Sequence, residues 1–234
     1  DYTVRTTVTE TLQILDASFD MDAAIYNSEL ASMEARSHLQ SAFAKAERQI
    51  FYGTSGNGDT AGFNGFYNSA DLNALADDMV IDGGGSTVAS QSSVYLIRAT
   101  PDATGVVSVF GNNGNIDIGS AYQSMIEGTS GRYDAWVVPI VAYMALQLGS
   151  KYSVGRIANV ESSLTDDKIY EALAAFPSSL QPTHICMNRT ALKLLRASRT
   201  ATNATGAPAP RPSEVEGIPI IVSDQIVQTE AVVS

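Results

Sequence analysis

Residues 27–66 read NSELASMEARSHLQSAFAKAERQIFYGTSGNGDTAGFNGF, and the fold turns on how this stretch is read. From Asn27 to Tyr52 there is no glycine or proline; after that Gly53, Gly56, Gly58, Gly62 and Gly65 crowd together. In the first part Ala31, Ala35, Leu39, Ala42, Phe43, Ala46 and Ile50 recur at three- and four-residue steps, one apolar stripe of a helix. Asp20, Asp22 and Asn27 offer N-caps, and Gly53 supplies the stop, because a helix ends easily where the chain turns left-handed. Such a helix is about 39 Å long at 1.5 Å per residue. The glycine loop lacks the Gly-Lys-Ser/Thr ending of a phosphate-binding loop and follows a helix instead of opening one, so it reads as a flexible connector. A long strut ending in a chemically quiet loop suits a building block better than an enzyme.

Toward the N-terminus, Tyr2 to Leu15 alternate with period two. Val4, Thr6, Val8, Leu12 and Ile14 fall on one side; Arg5, Thr7, Thr9, Thr11 and Gln13 fall on the other. Valine and threonine at that period predict a strand. A lone strand is unstable in water. No partner precedes it or follows at once, so it is expected to pair with sequence upstream or to lie on a neighbouring molecule. The first residue is Asp1 and not Met, which fits an upstream segment that is cleaved or lies outside this sequence.

Toward the C-terminus, Met79 to Ile81 predicts a strand ending at the turn Asp82-Gly83-Gly84-Gly85. Ser93 to Ala99 and Val106 to Phe110 flank Pro101-Asp102 as a hairpin, and Gly111 to Gly119 is a polar loop. Tyr133 to Val160 predicts a second long hairpin turning at Leu148 to Lys151, apolar on both faces and so covered on both. Pro139 marks an edge or a bulge. The last third alternates helix and strand. Thr165 caps a helix opening with Asp166 and Asp167 and ending at Pro177. A strand from His184 to Met187 reaches Asn188, a cap for Thr190 to Ser198. Ala204 to Pro212 is a mobile loop, and Ile218 to Val222 is a final buried strand. The class is α+β.

The chain has 234 residues, of which 17% are Asp, Glu, Lys or Arg, against roughly a quarter in average soluble proteins. Ala, Ser, Thr and Gly fill the difference, as on surfaces that end against other subunits. Fourteen cations against 25 anions give a net charge of −11. Binding nucleic acid through phosphates needs clustered cations, and here Arg189, Lys193, Arg196 and Arg199 make only a short stripe. Tight nucleic-acid binding is thereby disfavoured, while an acidic wall facing packed DNA remains compatible. The single cysteine, Cys186, sits in an apolar run and reads as a buried, inert thiol. The apolar stretch from Trp136 to Leu148 is too short to span a membrane as a helix, and no stretch reads as a signal peptide.

Candidate chemistry is sparse. Asn113, Asn115 and Asp117 have the alternate spacing of a calcium loop, but Ile118 stands where glycine is needed and no bidentate Glu follows. His38, His184 and Cys186 give neither zinc-ligand spacing nor a nucleophile–base pair. Asp77–Asp78 and Asp166–Asp167 are neighbours in sequence, whereas acid–base catalysis needs carboxyls converging across a pocket. No catalytic, cofactor-binding or metal residue is assigned, and no cofactor is expected.

An ordered set of motifs carries a family resemblance. It runs from the strand-to-helix passage Leu12 to Ala24, through Phe51-Tyr52-Gly53 and the Gly62-Phe63-x-Gly65-Phe66 loop, to Val80-Ile81-Asp82-Gly83-Gly84 and Ser93-Val94-Tyr95-Leu96-Ile97. It continues with Arg156-Ile157-Ala158-Asn159-Val160, Met187-Asn188-Arg189-Thr190 and Gly217-Ile218-Pro219-Ile220, then Asp224 and Glu230-Ala231. In this order and spacing the chain resembles the major capsid proteins of tailed bacteriophages with the Hong Kong 97 fold, and within them the epsilon-fifteen-type branch.

The resemblance implies a structural, non-enzymatic coat protein that assembles into pentamers and hexamers of an icosahedral head around double-stranded DNA. It places the protein in the virion, assembled in the host cytoplasm, with no membrane partner. Its partners would be copies of itself, with portal and scaffolding functions and a decoration protein. It implies that residues 1–22 are the return strand of the extended loop and 23–66 the spine helix and glycine loop of the peripheral domain. Residues 67–131 would be a connecting β-rich segment, partly of the axial domain, 132–160 the peripheral long strands, and 161–234 the axial domain. Val4, Thr6, Val8, Leu12 and Ile14 would contact the neighbouring subunit. The family's N-terminal arm and outgoing loop strand have no counterpart in this sequence. A more polar strand in relatives stands where this chain has Val107 to Asn113. Nothing singles out a crosslinking pair among Lys45, Lys151, Lys168 and Lys193. Two other readings stay open: an encapsulin-like compartment, and a monomeric hydrolase or glycan-binding module using the Gly111 to Gly119 loop.

Overall fold

The computed structural model describes residues 9–102, 104–129, 131–199 and 210–234. Its first long element is the expected helix, α1 (Ser28–Tyr52), capped by the Asn27 side chain, which accepts from the Glu29 N–H at 2.8 Å. It ends at Gly53, whose φ of 53° is left-handed and whose N–H reaches the Gln49 carbonyl. Ala31, Ala42 and Ala46 are buried as the stripe requires, whereas Phe43 is 46% exposed at the stripe's edge. Leu30 and Met33 are also exposed.

Ahead of α1 lie β1 (Gln13–Asp16) and β2 (Phe19–Asp22); after it come β3 (Val80–Asp82), β4 (Ser92–Ile97), β5 (Val106–Phe110) and β6 (Asp117–Ile118). β7 (Tyr122–Gly128), β8 (Gly131–Val138), β9 (Ile140–Leu148) and β10 (Val154–Val160) follow. The chain closes with α2 (Asp166–Ala174), β11 (His184–Met187), α3 (Arg189–Ser198), β12 (Glu214–Val215) and β13 (Ile218–Val222). The strands form three sheets: β12-β13-β11-β4-β10-β3, then β1-β9-β5 with β6 also on β9, and β2-β8-β7. Helix and strand are mixed, as the α+β class requires. The main core packs α2, α3 and the C-terminal end of α1 around the six-stranded sheet, while a smaller cluster joins Ala31 and Ala42 to Phe19, Met21 and Ile140.

Several expectations need correction. The opening ribbon does not wait for an outside partner throughout: β1 pairs antiparallel with β9, Ile14 opposite Tyr143, and β2 pairs with β8. Residues 9–12 form no strand, and Val4, Thr6 and Val8 lie outside the described residues. The long hairpin from Tyr133 to Val160 does not form. Pro139, which has no N–H to donate, divides its first arm into β8 and β9, and these belong to different sheets. Its second arm, β10, pairs antiparallel with β4 and parallel with β3. All seven of its residues are buried, so it needs a strand on each edge and layers on both faces. Nor do β4 and β5 make a hairpin: after one bond from the Val106 N–H to the Arg98 carbonyl, β5 crosses to β9. β13 is half-exposed because only the two-residue β12 lies beyond it.

The glycine loop is fastened, not free. The Gln49 amide donates to the carbonyls of Phe63 (2.6 Å) and Asp59 (3.0 Å) and accepts from the Asp59 N–H (2.8 Å). The Asn68 carbonyl oxygen accepts from the N–H groups of Thr54 and Gly65, both at 3.0 Å. A Cβ at Gly65 would stand 2.2 Å from the Gln49 carbonyl oxygen, so the backbone approach itself demands glycine there.

Candidate assembly surfaces and the buried junction behind them

The most connected polar cluster lies inside the molecule, where the end of α1 meets the six-stranded sheet. Arg156 of β10 donates from Nη2 to Glu230 (2.9 Å), from Nε to the Ser93 hydroxyl (2.9 Å) and from Nη1 to the Leu72 carbonyl (2.9 Å). Glu230 also accepts from the hydroxyls of Ser93 and Tyr52, each at 2.6 Å, and the Tyr52 oxygen accepts from the Val227 N–H. A buried charge is tolerated only when it is paired and its remaining donors and acceptors are met. Burial raises the Tyr52 pKa, and the neighbouring Glu230 carboxylate adds to it. Burial disfavours the Arg156 charge, but Tyr95 and Glu230 outweigh it, so its pKa is raised and it stays a cation.

Two asparagines complete the fastening of residues 223–234. Asn188 caps α3 by accepting from the Ala191 N–H, and its amide donates to Ser92, to Gln228 and to the Ile226 carbonyl. Asn159, left-handed at φ 55° where β10 bulges against β4, exchanges two hydrogen bonds with the Val233 backbone. The C-terminal segment is thus held largely by side chains, with backbone bonds from Ser223 to Met187 and from Leu75 to Ser234 at its ends and an isolated bridge between Gln91 and Glu230.

Of the contact residues expected from sequence, Leu12 and Ile14 are among the described residues, and both are exposed. Ile14 is 65% exposed on β1, whose outer edge has no strand beyond it among the described residues. Tyr143 opposite it is also exposed. Leu12, part-exposed, closes against Gly111 beside Tyr143. Sequence reading missed the β7–β8 ribbon, which presents exposed Tyr122 and Met125. Its only local signal is the turn from Gly128 to Gly131, where Gly131 has φ 130°.

Among the described residues no catalytic constellation accompanies these surfaces. His38 stacks on Phe19, and His184 meets Thr183 through Nδ1. Burial, then the Glu47 charge, pushes the Cys186 thiol up to about 12, the opposite of nucleophile activation. In the loop with calcium-like spacing, Asn112 donates to Asp117 at 2.6 Å, closing the loop on itself. Lys45 and Arg48 line an open groove of about 460 Å³ beside the glycine loop, but Arg48 Nε is already bonded to the Asn57 carbonyl. Among the described residues no group of three or more His, Cys, Asp or Glu side chains gathers to hold a metal, and no helix is long and apolar enough to cross a membrane.

A family model described as "Major capsid protein GP7" matches residues 2–234. No curated protein matches the chain. Among solved structures, one titled "Procapsid of bacteriophage JBD30 computed in I4 symmetry" is similar with a TM-score of 0.43 and 8% identity, over 97% of this chain and 82% of that one.

Proposed function

The chain belongs to the major capsid protein GP7 family, and from that premise we propose that it builds a tailed-bacteriophage head from pentamers and hexamers closed into an icosahedral shell. The role is structural and not enzymatic. We place the protein in the epsilon-fifteen-like branch on the motifs from Leu12 to Ala231. The peripheral domain would comprise α1, the glycine loop, β8 and β9. The axial domain would comprise the six-stranded sheet with α2 and α3, and the place of β10 in that sheet supports drawing the boundary after β9 instead of after Val160.

Val4, Thr6, Val8, Leu12 and Ile14 would contact the neighbouring subunit. The observation that carries this is Ile14, an isoleucine 65% exposed on the outer strand of a sheet. Such an edge and side chain favour a covering partner. Many modest contacts per subunit would hold the shell through avidity. The head would enclose double-stranded DNA without gripping it, consistent with a net charge of −11. Portal, scaffolding and decoration proteins would complete the particle, with assembly in the host cytoplasm. Sedimentation and electron microscopy of the full-length protein test the reading. Rings and megadalton shells are expected, and a persistent lone subunit would overturn it.

A further inference from the structure

We propose that the exposed basic face of α3 docks on the acidic flank around β3 of the adjacent copy, head to tail around each ring. The inference rests on the ring assembly proposed above and names the surfaces that make its contact.

The charge of this chain is divided along its length. Between Glu171 and Glu214 there is no acidic residue, while Arg189, Lys193, Arg196, Arg199 and Arg211 occur there. Between Arg48 and Arg98 there is no Lys or Arg, while Asp59, Asp71, Asp77, Asp78 and Asp82 occur there. Asp59 belongs to the glycine loop fastened to α1, but Asp71, Asp77 and Asp78 just ahead of β3 and Asp82 at its end stand at the opposite end of one sheet from the cations of α3. β3 is the outermost strand at one end, and α3 belongs to the crossover from β11 to β13 at the other.

At the basic end, α3 buries Ala191, Leu192 and Leu195 and turns Arg189, Lys193 and Arg196 outward at helical spacing. Arg189 is paired with Asp224 at 2.7 Å, and Arg199 grips Asp166 with two bonds of 2.7 and 2.8 Å. Lys193 and Arg196 make no ion pair among the described residues. At the acidic end Asp71, Asp78 and Asp82 are exposed, and Lys151, 3.1 Å from Asp78, is the cation that reaches the flank among the described residues.

Poles at opposite ends of a rigid sheet cannot neutralise each other within one molecule. A heterologous contact whose rotation closes brings the basic end of one copy onto the acidic end of the next at every joint. Complementary charge of this kind guides encounter and fixes register more than it adds affinity. Three cations without an ion pair among the described residues, Lys193, Arg196 and Arg211, are too few for a nucleic acid, whose binding scales with the phosphates neutralised.

The test uses the full-length protein in two charge-reversed forms, Lys193→Glu/Arg196→Glu and Asp71→Lys/Asp78→Lys, with light scattering and native mass spectrometry at low and high salt. All substituted residues are exposed, so unfolding midpoints near that of the unmodified protein are expected; the neutral Lys193→Ser/Arg196→Ser variant gives a second measure. Each reversed form alone should assemble rings at least about tenfold more slowly at low salt, with the neutral variant between, and the gap should narrow at high salt. An equal mixture of the two reversed forms should recover six-membered rings, since alternating copies then offer each other complementary ends, whereas a five-membered ring keeps one like-charged joint. Assembly of the α3-reversed form at the unmodified rate, a mixture no better than its parts, or an effect confined to DNA binding would overturn the inference while leaving the capsid reading intact. An unmodified protein that makes no rings would overturn the ring reading itself.

Discussion

Arg156 and Glu230 meet at 2.9 Å with side chains only 1% and 4% exposed, joining a central strand to the last residues of the chain. Tyr52 donates to the same carboxylate, so the end of α1, the six-stranded sheet and the C-terminal segment share one charged knot. Motion of the long helix relative to the sheet therefore has to break or carry this knot.

The knot sets the first prediction. Glu230→Ala leaves a buried guanidinium without its counter-ion, and breaking one side of a buried pair costs about 3–5 kcal/mol. Replacing both, Arg156→Met with Glu230→Leu, removes the stranded charge and should cost clearly less than Glu230→Ala. Denaturant unfolding of the subunit measures both. Equal losses would mean that the network contributes through packing and not through charge.

Asn159 isolates the fastening of the C-terminus. Its left-handed backbone disfavours any residue with a Cβ, whereas glycine adopts it freely. Asn159→Gly keeps the backbone and deletes the two bonds to Val233 together with the 3.1 Å bond that the Asn159 amide donates to Asp82; Asn159→Ala deletes the same bonds and adds strain. Hydrogen exchange should show the Val233 amide losing protection in both variants, with Asn159→Ala about 1–2 kcal/mol less stable than Asn159→Gly.

What sequence made legible was local. α1 was bounded by its Asn27 cap and its Gly53 stop, and α3 was announced by Asn188, because those signals act within one turn of the chain. Arg156 was visible as part of a motif, but its partner lies far away in sequence and nothing local predicts that meeting. The same distance hides the partners of β10, since a largely apolar strand states that it is central without saying between which strands. Pro139 signals an edge or a bulge in sequence, yet it stands where the chain passes from β8 to β9, which belong to different sheets. The glycine loop looked free because its fastening comes from Gln49, a polar residue on a helix face that resembles any solvated one.

Alkaline pH should destabilise the subunit through groups held protonated by burial. Burial, then the Glu47 charge, pushes the Cys186 thiol from its ordinary value of 9.0 up to about 12, and the pKa values of Tyr52 and Tyr95 are also raised. A raised folded pKa means full stability below the unfolded value and progressive loss as pH climbs toward the folded one. Stability should therefore show no loss from Cys186 up to about pH 9 and fall above it, the thiol contributing on the order of 1 kcal/mol per pH unit. Cys186→Ala should remove that share of the slope, read by denaturant melts across the alkaline range. A thiol reagent should leave Cys186 untouched in the folded protein at pH 8.

The contact surface on β1 gives the last prediction. Ile14 and Leu12 are apolar and exposed, and neither belongs to the buried core. Replacing both with Asp removes little from the folded subunit, so its unfolding midpoint should stay within about 0.5 kcal/mol of the unmodified protein, as for ordinary surface changes. In an assembled shell the same change would place two carboxylates in a joint with no cation provided for them, which costs several kcal/mol per contact. Avidity multiplies that cost over every joint of a closed particle. The variant should accumulate as folded subunits or incomplete rings with almost no shells by electron microscopy. Shells at the unmodified yield would show that this edge is free in the particle and that the subunit's neighbours meet it elsewhere.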